Sequence, residues 1–302
     1  MSDRVRLIGL AGLLAAGILL AVGMAVKEVD APLPSSLAPA FQLLGTPVKA
    51  VDHLVTRVIP VNDIDERQFG NVYRARYGAQ TREDDPNFEY LNDLMSHVAA
   101  AAEKPFDYRV YPMDYGAPNA MALPGGVIVV TTGLLDVLES EAELVAVLGH
   151  ELGHIEQGHC MDAVKFELLA EKVGDRTFGE IADFAVRVLM SHSFSKAQEN
   201  EADEYAYTLL VNSPYDPRGA GRALASLLRY QGALNAGPEP RHADPIRDYF
   251  ISHPPLEIRE AKFRARAEAW WRRHPADVRH LGERNIRDRV SVYRQGDGVV
   301  SR

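Results

Sequence analysis

The sequence predicts an α+β fold, mainly α-helical, with a small antiparallel sheet beside a central helix. Three observations predict it: helical apolar spacing on both sides of the middle of the chain, one β-rich island from Phe106 to Leu135, and a capped helical pattern that begins at Ser140. That last pattern carries His150-Glu151-Leu152-Gly153-His154. With 302 residues, 46% of them hydrophobic, the chain can build a sizeable core. Its formal charge of −9 argues against nucleic acid as a partner, because phosphate binding needs a basic footprint. The one cysteine, Cys160, excludes an intramolecular disulfide and a thiolate-rich metal site, so any metal must be held by nitrogen and oxygen.

Taken in order, the chain opens with an uncharged apolar run from Leu7 to Val26, flanked by Arg4 and Arg6 before it and Lys27 after it. About twenty apolar residues just reach across a bilayer. Residues 1–26 therefore read as a membrane anchor or, given Gly23-Met24-Ala25, as a cleavable signal peptide. The arginines favour an orientation that leaves the rest of the chain outside the cytoplasm. Residues 27–39 contain the Pro-rich "APLPSSLAP" and read as a linker. Residues 40–106 are mainly helical in pattern, most clearly from Phe88 to Ala102. "FDYRVYPMD" and "NAMALPGGVIVVTTGLL" then supply two or three short antiparallel strands, separated by Gly116, Pro118 and Pro124-Gly125-Gly126.

Helical patterns return from Leu134 to about Ala236. Within them Phe178 to Met190 is partly apolar, but Glu180, Asp183 and Arg187 argue against a membrane span. A Pro-rich loop, Gly237 to Pro255, precedes a last amphipathic helix near Leu256 to Arg273. Residues 274–302 form a C-terminal extension. From residue 256 onward twelve Lys/Arg stand against seven Asp/Glu, a local excess of +5, which suits a solvated helix or an anionic surface.

Ser140-Glu141-Ala142-Glu143 has capping-box spacing, so a helix should begin there. At about 100° per residue Leu144, Leu148, Leu152 and Ile155 form its core face, while His150 and His154 lie about 40° apart on another face. Two imidazoles so placed can converge on one ion, and Glu151 can reach a water beside that ion without taking a ligand position. His159 projects about 20° from Leu148, away from that face, and is not expected as a ligand.

Catalytic zinc takes three protein ligands and keeps a fourth position open, so another ligand must come from elsewhere. "FSKAQENEADEYAYTLL" (Phe194 to Leu210) has a second capping box, Ser195 to Gln198, and its helix should end at Pro214. On it Glu199, Asp203, Ala206 and Leu210 fall within about 60°, so two carboxylates continue a buried stripe. Buried carboxylates need a cation or donors. Glu199 is therefore the expected third ligand, and Asp203 the expected acceptor for a ligating histidine's second N–H. Glu201 points about 200° away and is expected in solvent.

His150-Glu151-x-x-His154, followed 45 residues after His154 by Glu199-x-x-Ala202-Asp203, resembles the zinc metallopeptidases of family 48, of gluzincin type. That family includes the CAAX prenyl endopeptidases and the HtpX-like and BepA-like proteases. Asn119-Ala120, Leu123-Pro124-Gly125-Gly126, Phe194-Ser195, Tyr215-Asp216-Pro217 and His253-Pro254-Pro255 with Arg259 are further points of likeness.

The resemblance implies a zincin-like metalloprotease domain over residues 40–273, one Zn2+ per chain, and Glu151 as general base. It brings His253 to the metal, either as a catalytic donor to the oxyanion or as an extra ligand that blocks the site at rest. The implied function is a zinc metalloendopeptidase of the cell envelope, on its periplasmic or extracytoplasmic side, anchored or secreted. It would act on unfolded or misassembled polypeptides bound in extended form, with the strand near Val127 to Thr132 as the pairing edge. The competing reading is an envelope chaperone or assembly factor with structural zinc and marginal proteolysis.

Overall fold

The computed structural model describes residues 63–82, 84–164, 178–191, 193–235, 253 and 256–294. The apolar N-terminal run, the linker and the Pro-rich loop apart from His253 lie outside the described residues. Among the described residues no helix is long and apolar enough to cross a membrane.

The elements in order are α1 (Asp63–Gln80), α2 (Pro86–Val98), β1 (Arg109–Met113), β2 (Ala120–Leu123), β3 (Val127–Thr131), α3 (Thr132–Val137), α4 (Glu141–Glu156), α5 (Phe178–Ser191), α6 (Lys196–Asn212), α7 (Arg218–Asn235), α8 (Leu256–Arg273) and α9 (Glu283–Asp288). The fold is thus the mainly helical α+β arrangement expected, and α8 has the boundaries its apolar period predicts.

The sheet is mixed, where the sequence predicted it antiparallel. Its order is β1-β3-β2: β2 and β3 form an antiparallel hairpin with Ala122 opposite Ile128, while β1 runs parallel to β3 with Val110 opposite Ile128. The Pro124-Gly125-Gly126 turn fixes that hairpin, with both glycines at positive φ (82° and 91°), a region L side chains rarely adopt. β1 must then pair with the one open edge of β3. All five residues of β3 are buried, as a run of β-branched residues flanked on both sides should be.

Topology also corrects the expected peptide-pairing strand. β3 is central and has no free edge. The outer edge of β1 is closed by Asn92 of α2, whose side-chain amide takes the Val110 N–H (3.0 Å) and donates to its carbonyl (2.8 Å), like a piece of strand. Among the described residues the remaining edge is that of β2, beside α4.

Helix α4 is the hub of the core: every residue from Glu141 to Ile155 is buried, so the amphipathic helix read from sequence is covered on all faces. Its N-terminus also differs from the expected capping box. Ser140 is the N-cap but its hydroxyl takes no backbone N–H; it donates to Glu143 Oε1 (2.9 Å) instead. The reason lies far along the chain. The Glu141 and Ala142 amides donate to the carbonyls of Gly282 and Leu281, so the segment after α8 satisfies the helix end. The Glu141 carboxylate accepts from Tyr215 (2.6 Å), Tyr90 (3.0 Å) and the Val292 amide (3.0 Å). Burial raises its pKa, against the pull of these donors. Within residues 275–294 Gly282, Asn285, Ile286 and Ser291 are buried, so this part of the C-terminal extension packs against the start of α4.

Candidate metal centre

Two helices bring the site together because their facing residues are small. Gly149 and Gly153 of α4 lie against Ala206 and Ala202 of α6; a Cβ on Gly153 would stand 3.0 Å from Ala202 Cα and 3.1 Å from its carbonyl oxygen. Close approach of the backbones carries Glu199 to the histidine face of α4. Gly153→Val should force the helices apart, at a cost of about 1–3 kcal/mol in overpacking. Thermal melting together with metal titration should show both stability and metal affinity reduced.

The α6 helix is built as its sequence predicts. Ser195 and Gln198 form a complete capping box, and Glu199, Ala202, Asp203, Ala206 and Leu210 are buried in one stripe. His150, His154, Glu199 and His253 each offer one ligand atom, all within 4.8 Å of one another and all buried. His150 Nε2 is 3.1 Å from His154 Nε2 and 3.2 Å from His253 Nδ1. The Glu199 oxygens lie 3.6 Å from His150 Nε2, 3.4 Å from His154 Nε2 and 2.8 Å from His253 Nδ1. Nitrogen and oxygen ligands about 2.0–2.2 Å from a tetrahedral ion stand about 3.3–3.6 Å apart, and the spacings among His150, His154 and Glu199, 3.1–3.6 Å, are close to that.

The charges fit as well. Burial pushes the His154 imidazole well below its ordinary range, which keeps it neutral as a ligand must be. Burial would raise the Glu199 carboxyl, but His253, His154 and His150 outweigh it and hold that group far below the usual carboxylate range. Burial likewise opposes ionisation of Asp203, and the bond to His150 and the charge of Arg259 overcome it. His253 moves the other way: Glu199 and Glu151 raise its pKa despite complete burial.

Glu151 faces the same space without joining the cluster. Its Oε2 accepts the Ala122 N–H at 2.9 Å, and the buried Oε1 has no hydrogen-bond partner among the described residues. Oε1 lies 3.7 Å from His253 Nε2. A buried acceptor aimed at the metal cluster is a place for a proton donor such as water. Beside it a groove is lined by Met121, Val129, Leu189, Met190 and Phe194.

The profile of peptidase family M48 matches residues 85–267, well over half of the chain and all of the elements that build this cluster. The chain belongs to peptidase family M48. The metalloprotease LoiP of Escherichia coli is 30% identical over 160 residues, which cover 48% of this chain and 62% of LoiP. The mitochondrial metalloendopeptidase OMA1 of Arabidopsis thaliana is 29% identical over 166 residues, covering 54% of this chain and 32% of OMA1. The beta-barrel assembly-enhancing protease of Escherichia coli is 25% identical over 227 residues, 67% of this chain and 44% of that protein. The chain thus matches from about a third to about three-fifths of the length of these relatives.

Three residues of this M48 centre take places the sequence reading did not give them. Arg259 is buried under the site: its Nε and Nη2 grip both Asp203 oxygens (3.0 and 2.7 Å), and Nη1 lies 2.8 Å from Glu199 Oε2 and donates to the His253 carbonyl at 3.0 Å. Its signal in the sequence is its position on the buried stripe Leu256, Arg259, Phe263, Ala267, Trp270. His159 and Glu201 are the other two. Glu201 keeps part of the solvent contact expected of it, with its side chain 42% exposed, but its Oε2 also lies 3.0 Å from His159 Nε2. The helical projection of His159 fails because Gly158 (φ 77°) breaks the helix and turns the chain back. His159 Nδ1 thereby comes within 3.1 Å of His154 Nδ1. Asp203 Oδ1 sits 3.2 Å from His150 Nδ1, the place expected of it.

Proposed function

We propose that the chain is a zinc-dependent metalloendopeptidase of the cell envelope that hydrolyses unfolded or misassembled polypeptides. The observation that carries this reading is the convergence of His150, His154 and Glu199 with the unpartnered Glu151 oxygen beside them. A two-nitrogen, one-carboxylate donor set with no cysteine suits catalytic zinc. When bound, such an ion acidifies water and polarises a carbonyl.

The remaining chemistry falls to the chain. Glu151, held at Oε2 by the Ala122 amide, would take the proton of the attacking water at Oε1 and pass it to the leaving amine. An extended substrate would pair with the edge of β2, where strand parity turns the Ala120 backbone groups outward. The methionine-lined groove would take an apolar side chain. Location in the envelope rests on Leu7 to Val26 and its N-terminal arginines. A direct test is hydrolysis of unfolded casein by the full chain: chelation should abolish it, and added Zn2+ should restore it. Cleavage that survives complete metal removal would refute the reading.

For His253 the geometry favours the blocking ligand. Its Nδ1, 3.2 Å from His150 Nε2, shares the ligand cluster, whereas an oxyanion donor would stand off from it. An imidazole that fills the fourth position reduces activity to the fraction of molecules in which it has swung away. His253→Ala should therefore raise casein cleavage by about threefold or more. A fall to the level of Glu151→Gln would assign His253 to catalysis instead.

A further inference from the structure

The α6 helix carries three acidic residues at alternate positions, Glu199, Glu201 and Asp203, and each is tied to the histidine pair differently. Glu199 faces the ligand cluster, and Asp203 contacts His150 Nδ1 directly. Glu201 reaches His154 only through His159: Glu201 Oε2 to His159 Nε2 at 3.0 Å, then His159 Nδ1 to His154 Nδ1 at 3.1 Å. Two Nδ1 atoms in contact can share only one proton. With His154 Nε2 committed to the cluster, its proton sits on Nδ1, so His159 Nδ1 must be the acceptor and His159 Nε2–H must donate to Glu201. One tautomer assignment satisfies all three residues.

We propose that His159 and Glu201 are positioning residues for the metal: they fix the tautomer and ring orientation of His154 as Asp203 does for His150. The inference rests on the reading of His154 as a metal ligand. Outer partners of ligating histidines are worth about 10–100-fold in metal affinity.

The test is the Zn2+ dissociation constant of the metal-stripped full chain, measured by chelator competition, with the melting temperature of the stripped protein as a control for folding. His159→Ala should weaken binding by about tenfold or more. Glu201→Ala, at a half-exposed position, should weaken it by a smaller factor, about threefold or more, without lowering the melting temperature. An amide oxygen accepts whatever its surroundings, so His159→Asn should restore affinity to within about threefold of wild type. In that background Glu201→Ala should have no further effect. Unchanged affinity in His159→Ala or in Glu201→Ala, or no recovery in His159→Asn, would overturn the proposal. A wild-type chain that binds no Zn2+ would instead sink the metal assignment beneath it.

Discussion

Glu151→Gln is expected to lose casein cleavage by about 10²–10⁴-fold while keeping its full complement of metal. The substitution preserves shape and the hydrogen bond from Ala122, since the amide oxygen can still accept that N–H. It removes only the basicity of the oxygen facing the cluster. Because Glu151 is not among the grouped ligands, metal content should not change. Joint measurement of activity and bound metal separates an enzyme from a zinc-containing chaperone. Equal metal with lost cleavage identifies the base; equal metal with unchanged cleavage would remove Glu151 from the mechanism.

Arg259→Ala is expected to have the largest effect on stability. The guanidinium serves two buried carboxylates and a buried carbonyl at once, and all three would lose it together. Breaking a buried ion pair from one side costs about 3–5 kcal/mol, because the remaining charge stays buried and uncompensated. For a domain of this size that is a fall of about 6–20 °C in melting temperature. Arg259→Lys keeps the charge but cannot fork across both Asp203 oxygens while reaching Glu199, so it should fall between the two. A melting temperature for Arg259→Ala within a degree or two of wild type would show that the carboxylates need no such partner.

Local features of the structure were the legible ones. The Ser195 cap, the Glu199–Asp203 stripe and the bounds of α8 follow from spacing within one element, and spacing within a helix is fixed by its geometry. What the sequence hid depends on contacts between distant segments. Alternation marks strands but not which of three lies in the centre, so a pairing edge expected on β3 meets a central strand, and the free edge among the described residues is that of β2. The Ser140-x-x-Glu143 signature marks the helix start but not a capping box: the Ser140 hydroxyl donates to Glu143 Oε1, Glu143 Oε2 takes the Glu139 amide, and Gly282 and Leu281 take the Glu141 and Ala142 amides.

His159 illustrates a different limit. Angular projection holds only while the helix continues, and one left-handed residue at Gly158 turns a distant histidine into the neighbour of His154. Arg259 stands among many arginines of α8; its place on the apolar stripe and its spacing from His253-Pro254-Pro255 set it apart, but neither shows that it grips Asp203 and Glu199.

If His150, His154 and Glu199 hold one metal ion between α4 and α6, the ion should depend on all three. Elemental analysis of the purified full chain beside Glu199→Ala tests it most directly. About one equivalent of zinc per wild-type chain is expected, with a clear loss in the variant, since a three-ligand site deprived of its carboxylate binds poorly. A wild-type chain without a stoichiometric transition metal, or a Glu199→Ala protein that keeps its full equivalent, would contradict it.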